Sequence, residues 1–304
     1  MATLRDYTEL QHLGRLDLLA QQVVEGFITG LHQSPFHGFS VEFAEHRQYN
    51  TGESAQHVDW RLFARTDKLF VKQFEEETNL RCQLLLDTSS SMHYPDQGLS
   101  KLHFAVYAAA SLMYLFKKQR DAFGLHLFDS RIHFSSAARS TGQHMHYLFS
   151  ELEKLLHALR PENRTTQLAD TLHHIAEQVH KRSMVILFSD LLDDPTQTEQ
   201  LIPALQHLRH NRHEVIIFNI SDKRSELDFD FDNRPHRFFD LESGEQMRVH
   251  PAQLREHYQQ AAAAFRAGII EKCAQNKVDL IDADTAEGFY PILHAWLIRR
   301  NKMI

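Results

Sequence analysis

Three short stretches carry the side chains best suited to chemistry. Asp87-Thr88-Ser89-Ser90-Ser91 follows the apolar run Leu84-Leu85-Leu86, and Ser189-Asp190 follows Val185-Ile186-Leu187-Phe188. Between them, at the start of a helical pattern, lies Arg164-Thr165-Thr166-Gln167-Leu168. In an open parallel sheet the ligand site forms beyond the carboxyl ends of the strands, so the first residues after each apolar strand are the ones to inspect. These three offer carboxylates and hydroxyls with no thiolate or imidazole. Such a hard-oxygen set suits Mg²⁺ or Mn²⁺, ions that keep some of their water.

The elements needed to position these loops are legible around them. From residue 81 onward short apolar runs alternate with helical periodicity: a strand over 82–86, a helix over 101–119, a strand over 123–128, helices over 144–159 and 168–180, a strand over 184–188, a helix over 197–209, a strand over 215–220, a helix over 251–275, a strand over 278–281 and a last helix ending near residue 300. Strands of this kind alternating with helices imply a parallel sheet covered on both faces. Residues 9–29 repeat apolar positions at helical spacing, and residues 39–43 and 69–74 alternate as strands do, with a short helix expected over 58–64. The division is therefore an N-terminal mixed α+β region over 1–79 and an α/β domain over 80–304.

Composition narrows the function classes. The chain has 304 residues, and 33 Lys and Arg against 40 Asp and Glu leave a net charge of -7, so no global basic field favours nucleic acid. Two cysteines write neither a disulfide framework nor a Cys-rich zinc site. The longest apolar stretch, Phe104 to Phe116, is too short to span a bilayer, and no signal-peptide core interrupts the charged N-terminal segment. A cytoplasmic location follows as the expectation.

The pattern Asp87-x-Ser89-x-Ser91 with a later Thr and a later Asp resembles the metal-ion-dependent adhesion site (MIDAS) of von Willebrand factor type A domains. The resemblance implies a Rossmann-like fold and a metal bound by Ser89, Ser91 and Thr166, with Asp87 and Asp190 acting directly or through water. It also implies one coordination position left for an Asp or Glu of a protein partner. The usual Gly-Gly-Thr of the middle loop reads Arg164-Thr165-Thr166 here, which leaves the choice between the two threonines open. Arg47-Gln48-Tyr49, Val58-Asp59-Trp60-Arg61, Phe74-Glu75-Glu76-Glu77 and Phe239-Asp240-Leu241-Glu242-Ser243-Gly244 further resemble a bacterial family known as domain of unknown function 58. Its members often accompany MoxR-type AAA+ ATPases. That likeness implies a non-enzymatic adaptor or co-chaperone, with such an ATPase as partner.

The competing chemistry is a Mg²⁺-dependent phosphatase of haloacid-dehalogenase type with Asp87 as nucleophile. That reaction wants a second Asp two positions on, as general acid, and Ser89 stands there. Asp228-Phe-Asp230-Phe-Asp232 imitates a calcium loop but lacks its Gly and Glu, and its alternation reads as an edge strand. The 22 histidines read as solvated or packed, and Cys82 as a core residue. Trp60 with Arg61 and Arg65 is either a docking patch or a packing contact, with packing expected.

Overall fold

The computed structural model describes residues 16–30, 42–48, 60–67, 69–75, 80–161, 165–191 and 195–303. The chain divides into two compact units, Phe36–Leu80 and the combination of Met1–Pro35 with Arg81–Ile304. The larger unit contains helix α1 (Leu16–Gly30) as well as everything after residue 80.

In the smaller unit β1 (Glu42–Gln48) pairs antiparallel with β2 (Phe70–Glu75), and α2 (Trp60–Thr66) lies between them in sequence. The short helix expected over 58–64 is described from Trp60 onward, and residues 58 and 59 lie outside the described residues. Trp60 makes an edge-on contact with Phe63 at 6.1 Å, and 59% of its surface is exposed.

The larger unit is built on β3 (Arg81–Asp87), β4 (Ala122–Phe128), β5 (Ile132–Ser135), β6 (Met184–Ser189), β7 (Glu214–Ser221) and β10 (Asp279–Asp284), in the order β10-β7-β6-β3-β4-β5. All neighbours are parallel except the edge strand β5, which returns antiparallel to β4. This is the mostly parallel α/β sheet that the alternation of elements implies. The central strands are buried on both faces, which is why they read as unbroken apolar runs rather than alternating ones.

Helices cover the two faces. Val185, Leu187, Val215 and Ile217 pack with α5 (Leu168–Gln178) and α6 (Pro195–His210), through Leu172, Ile175, Leu205 and Leu208. The alternate residues of the same strands turn the other way: Phe188 stacks on Phe218 at 4.9 Å, and Phe218 meets Trp296 of α8 (Phe289–Met303) edge-on at 5.4 Å. On that side α3 (Lys101–Lys118) is the buried Ala-rich helix, capped by Ser100, whose hydroxyl accepts from the His103 N–H at 3.2 Å. Phe27 of α1 stacks on Tyr290 of α8 at 5.0 Å. Helix α4 (Gly142–His157) packs against α3.

One expectation is overturned after β7. Residues 227–232 are not an edge strand: a π-helical turn over Lys223–Leu227 leads into an irregular segment in which Phe229 takes a φ of +48°. Its carbonyls are taken by side chains of α7 (Pro251–Gln275) instead of a neighbouring strand. Arg255 donates to the carbonyls of Phe229 at 3.2 Å and Phe231 at 2.9 Å, and Gln259 donates to Asp228 at 2.6 Å. The pairing in this region belongs to the next residues, an antiparallel hairpin of β8 (His236–Phe239) and β9 (Gln246–Val249). Among the described residues no helix is long and apolar enough to cross a membrane.

Candidate functional site

The strands end where the sequence places the chemistry. Asp87 is the last residue of β3 and Ser189 the last of β6, adjacent strands in parallel register, so both side chains emerge at one edge of the sheet. Loop-to-loop hydrogen bonds fix that edge. The Thr88 N–H and hydroxyl both donate to the Phe128 carbonyl, at 2.8 and 2.9 Å, and the Gln167 N–H donates to the Asp129 carbonyl at 3.2 Å. The Ser90 hydroxyl donates to the Pro161 carbonyl at 2.9 Å.

Asp87 is the centre of the cluster and is fully buried. Its Oδ1 accepts from the Ser89 N–H at 2.9 Å, its Oδ2 from the Ser189 hydroxyl at 2.9 Å, and the Thr166 hydroxyl lies 3.1 Å from both oxygens. The Ser89 and Ser91 hydroxyls are 3.0 Å apart. The structure thus brings Asp87, Ser89, Ser91, Thr166 and Asp190 to one edge. Between the two threonines, Thr166 is the buried one that touches Asp87, whereas Thr165 is exposed. Arg164 lies outside the described residues.

Burial, helped by the neighbouring Asp190 charge and opposed by its hydrogen bonds, pushes the Asp87 carboxyl up to about 6. Asp190 is met by a cation. Lys101, from the first turn of α3 and itself completely buried, donates to Asp190 Oδ2 at 2.7 Å and to Glu226 Oε1 at 2.6 Å. Burial alone would depress the lysine, but the two carboxylates outweigh it and raise its pKa. Glu226 also accepts from the Asp222 N–H at 2.8 Å, which ties the loop after β7 to the site.

Ser189, Lys101 and Glu226 escape the sequence reading of site residues. Ser189 is visible only as the residue before Asp190. Lys101 does carry a signal, since a cation in the first turn opposes the helix dipole and needs a local reason. Glu226 carries none, because its loop is irregular and 125 positions away from Lys101.

A divalent cation fits this donor set. Ser89, Ser91 and Thr166 present hydroxyl oxygens around a carboxylate whose hydrogen-bond donors are neutral. Among the described residues no group of three or more His, Cys, Asp or Glu could hold a metal. A soft-metal or all-carboxylate site is therefore not what this edge offers; the donors are mainly hydroxyls. One Asp190 oxygen is engaged by Lys101.

The match that decides the family runs over residues 45–268, described as Protein of unknown function DUF58. The chain belongs to the DUF58 family. It is 28% identical over 260 residues to the uncharacterized protein Rv1480 of Mycobacterium tuberculosis and equally to the uncharacterized protein Mb1516 of Mycobacterium bovis, covering 84% of this chain and 78% of each relative. Two solved structures are similar at lower identity. An aerotolerance-related membrane protein from Bacteroides fragilis aligns with a TM-score of 0.46 and 14% identity, over 74% of this chain and 100% of that one. The conserved hypothetical protein BatB from Bacteroides thetaiotaomicron aligns with a TM-score of 0.44 and 13% identity, over 73% and 99%.

Proposed function

We propose that this DUF58 chain is a non-enzymatic, metal-dependent protein-interaction module. Mg²⁺ or Mn²⁺ is held by Ser89, Ser91 and Thr166, with Asp87 and Asp190 bound directly or through water, and a partner Asp or Glu completes the shell. The observation that supports the reading is the convergence of hydroxyls from separate loops on one buried carboxylate at the sheet edge. The partner is a MoxR-type AAA+ ATPase, for which the chain acts as a cytoplasmic adaptor or co-chaperone. If partner and metal share a coordination shell, each favours the other by the same factor, because coupling free energy is reciprocal. The test is co-purification with a MoxR-type ATPase from the same genome, with and without chelator and with Ser89→Ala. Loss of the complex in both perturbed samples is the expected result, and equal recovery from all of them refutes the metal face as the contact.

The phosphatase reading keeps one supporting observation: Lys101 places a buried ammonium beside a second carboxylate, a charge pattern that also suits a phosphoryl group. Against it, both oxygens of Asp87 accept hydrogen bonds from Ser89, Thr166 and Ser189, which turns the nucleophile inward. With Ser89 in place of a general acid, leaving-group protonation also lacks a contribution of about 10² to 10⁴ in rate. Turnover of an aryl phosphate that vanishes in Asp87→Ala would establish the phosphatase.

A further inference from the structure

An open groove of about 1330 Å³ begins beside Ser91 and Thr165 and runs over the segment after β7 and the β8–β9 hairpin. Aromatic rings make its floor. Phe229 stacks on Phe238 at 5.5 Å and lies 4.5 Å from Tyr258 of α7, and Phe231 meets Phe238 edge-on at 4.9 Å. The hairpin register sets Met247 directly opposite Phe238, hence on the same face of the ribbon. Met247 and Leu254 both line the groove and are 64% and 42% exposed, so the floor continues into apolar side chains that the described residues leave partly uncovered. Apolar surface left in water forfeits about 25 cal/mol per Å², and a contiguous patch of it marks an interaction site.

The groove is not apolar throughout. Arg160 lines the end beside Ser91 and Thr165, with its partner Asp96, while the carboxylates Asp240, Glu242 and Glu245 belong to the hairpin end. The Arg160 Nη1 donates to Asp96 at 2.9 Å, while its Nη2 is buried and has no hydrogen-bond partner among the described residues. A buried guanidinium nitrogen left unpaired is costly, and a carboxylate is the group whose geometry best satisfies it.

We infer that this groove docks an extended segment of another protein, one that presents an acidic side chain to Arg160 and neighbouring apolar side chains to the Phe229–Phe238–Tyr258 floor with Met247 and Leu254. The inference rests on the proposed function in one respect, that the chain binds proteins at this edge of the sheet. It adds the chemistry of the segment recognised. The apolar floor disfavours a small anionic metabolite, and the unpaired Nη2 of Arg160 disfavours a purely greasy ligand.

The experiment selects a random-peptide library displayed on phage against the full chain in Mg²⁺, then measures the selected peptides by fluorescence polarisation. The expected consensus places an acidic residue close to aromatic or aliphatic ones. Met247→Ser with Leu254→Ser removes side chains that reach the surface rather than the core, so the fold survives and peptide affinity falls about tenfold or more. Arg160→Gln weakens the peptide by the same factor as replacing its acid with the amide, and the two changes together cost no more than either alone. A selection without such a consensus, or peptides that bind the Met247/Leu254 double variant as well as wild type, overturns the inference. So does self-association of the chain that these substitutions abolish, because the occupant is then a second copy. Peptides that lose affinity in the groove variants but ignore chelator keep the inference and refute the metal reading. Peptides that need metal but ignore the groove variants do the reverse.

Discussion

Lys101 Nζ lies 2.7 Å from Asp190 Oδ2, with both side chains almost wholly withdrawn from solvent. The same ammonium reaches Glu226, so one lysine joins the start of α3, the loop after β6 and the loop after β7. Removing one partner of a buried ion pair leaves an uncompensated charge and costs about 3–5 kcal/mol. Lys101→Met, which keeps the length of the side chain, is expected to lose that much in urea unfolding. Millimolar Mg²⁺ is expected to raise the unfolding midpoint of Lys101→Met more than that of wild type, because a metal then replaces the missing counter-ion. An unchanged midpoint for the variant would show that Asp190 and Glu226 do not depend on the lysine.

Metal affinity separates the two threonines. Thr166→Val and Ser89→Ala each remove one hydroxyl from the cluster around Asp87, and calorimetry with Mn²⁺ is expected to show at least about tenfold weaker binding, equivalent to about 1.4 kcal/mol. Thr165→Ala, on the exposed neighbour, is expected to leave the affinity unchanged. The opposite ranking would transfer the ligand role to Thr165.

His126 sits in β4 between Gln83 Oε1 and the Ser135 hydroxyl, each 3.0 Å from one of its ring nitrogens. The amide oxygen can only accept, so Nε2 carries the proton and Nδ1 accepts from Ser135. Burial, with a smaller push from the His174 charge, lowers its pKa from 6.5 to about 4. A histidine depressed in the fold stays neutral there while the unfolded chain takes up protons. Its stabilising effect is thus complete above pH 6.5 and is lost as pH falls toward 4, by at most about 3 kcal/mol. The stability difference between wild type and His126→Gln is expected to shrink by that order over this range. Taking the difference cancels the other titrating groups, and a pH-independent difference would refute the assignment.

Gly124 in β4 leaves no room for a methyl group. A Cβ there would collide with the Gln83 side chain and stand 2.6 Å from the carbonyl oxygen of Ser136, a residue whose N–H donates to Leu125 of β4 at 2.9 Å. Gly124→Ala is expected to cost about 1–3 kcal/mol by thermal or urea unfolding, the range for overpacking a core. Gly268, with no atom within 4 Å of its would-be Cβ, is the control, and Gly268→Ala is expected to be neutral or slightly stabilising in its helix.

What could be read in the sequence follows from which interactions are local. The strands over 81–87 and 184–189 are apolar on both faces, so composition alone marks them, and the residues that follow inherit a place at the sheet edge. Asp87, Ser89, Ser91 and Asp190 are legible for that reason, whereas Thr166, before a helix, is singled out by the resemblance. Lys101 and Glu226 are neither, because their importance lies in a contact between positions 125 apart. The acidic alternation over 228–232 misled because period-two patterning marks a strand only when a neighbour is there to accept its hydrogen bonds. Here Arg255 and Gln259 take the carbonyls instead. The hairpin at 236–249 is short and mostly exposed on both sides, so it lacks the apolar rhythm by which strands announce themselves.

Strand β10 closes one border of the sheet, and its composition decides what that border does to other molecules. Asp279, Asp282 and Asp284 lie along it; Arg299 and Trp296 hold Asp279, at 2.8 and 3.2 Å, and Arg266 makes a bidentate pair with Asp282. An uncovered strand is a template for edge-to-edge polymerisation, and charge along it is the usual safeguard. The ion pairs of β10 therefore act as a colloidal guard: they keep an otherwise apolar six-stranded sheet from being lengthened by the next chain it meets in a crowded cell.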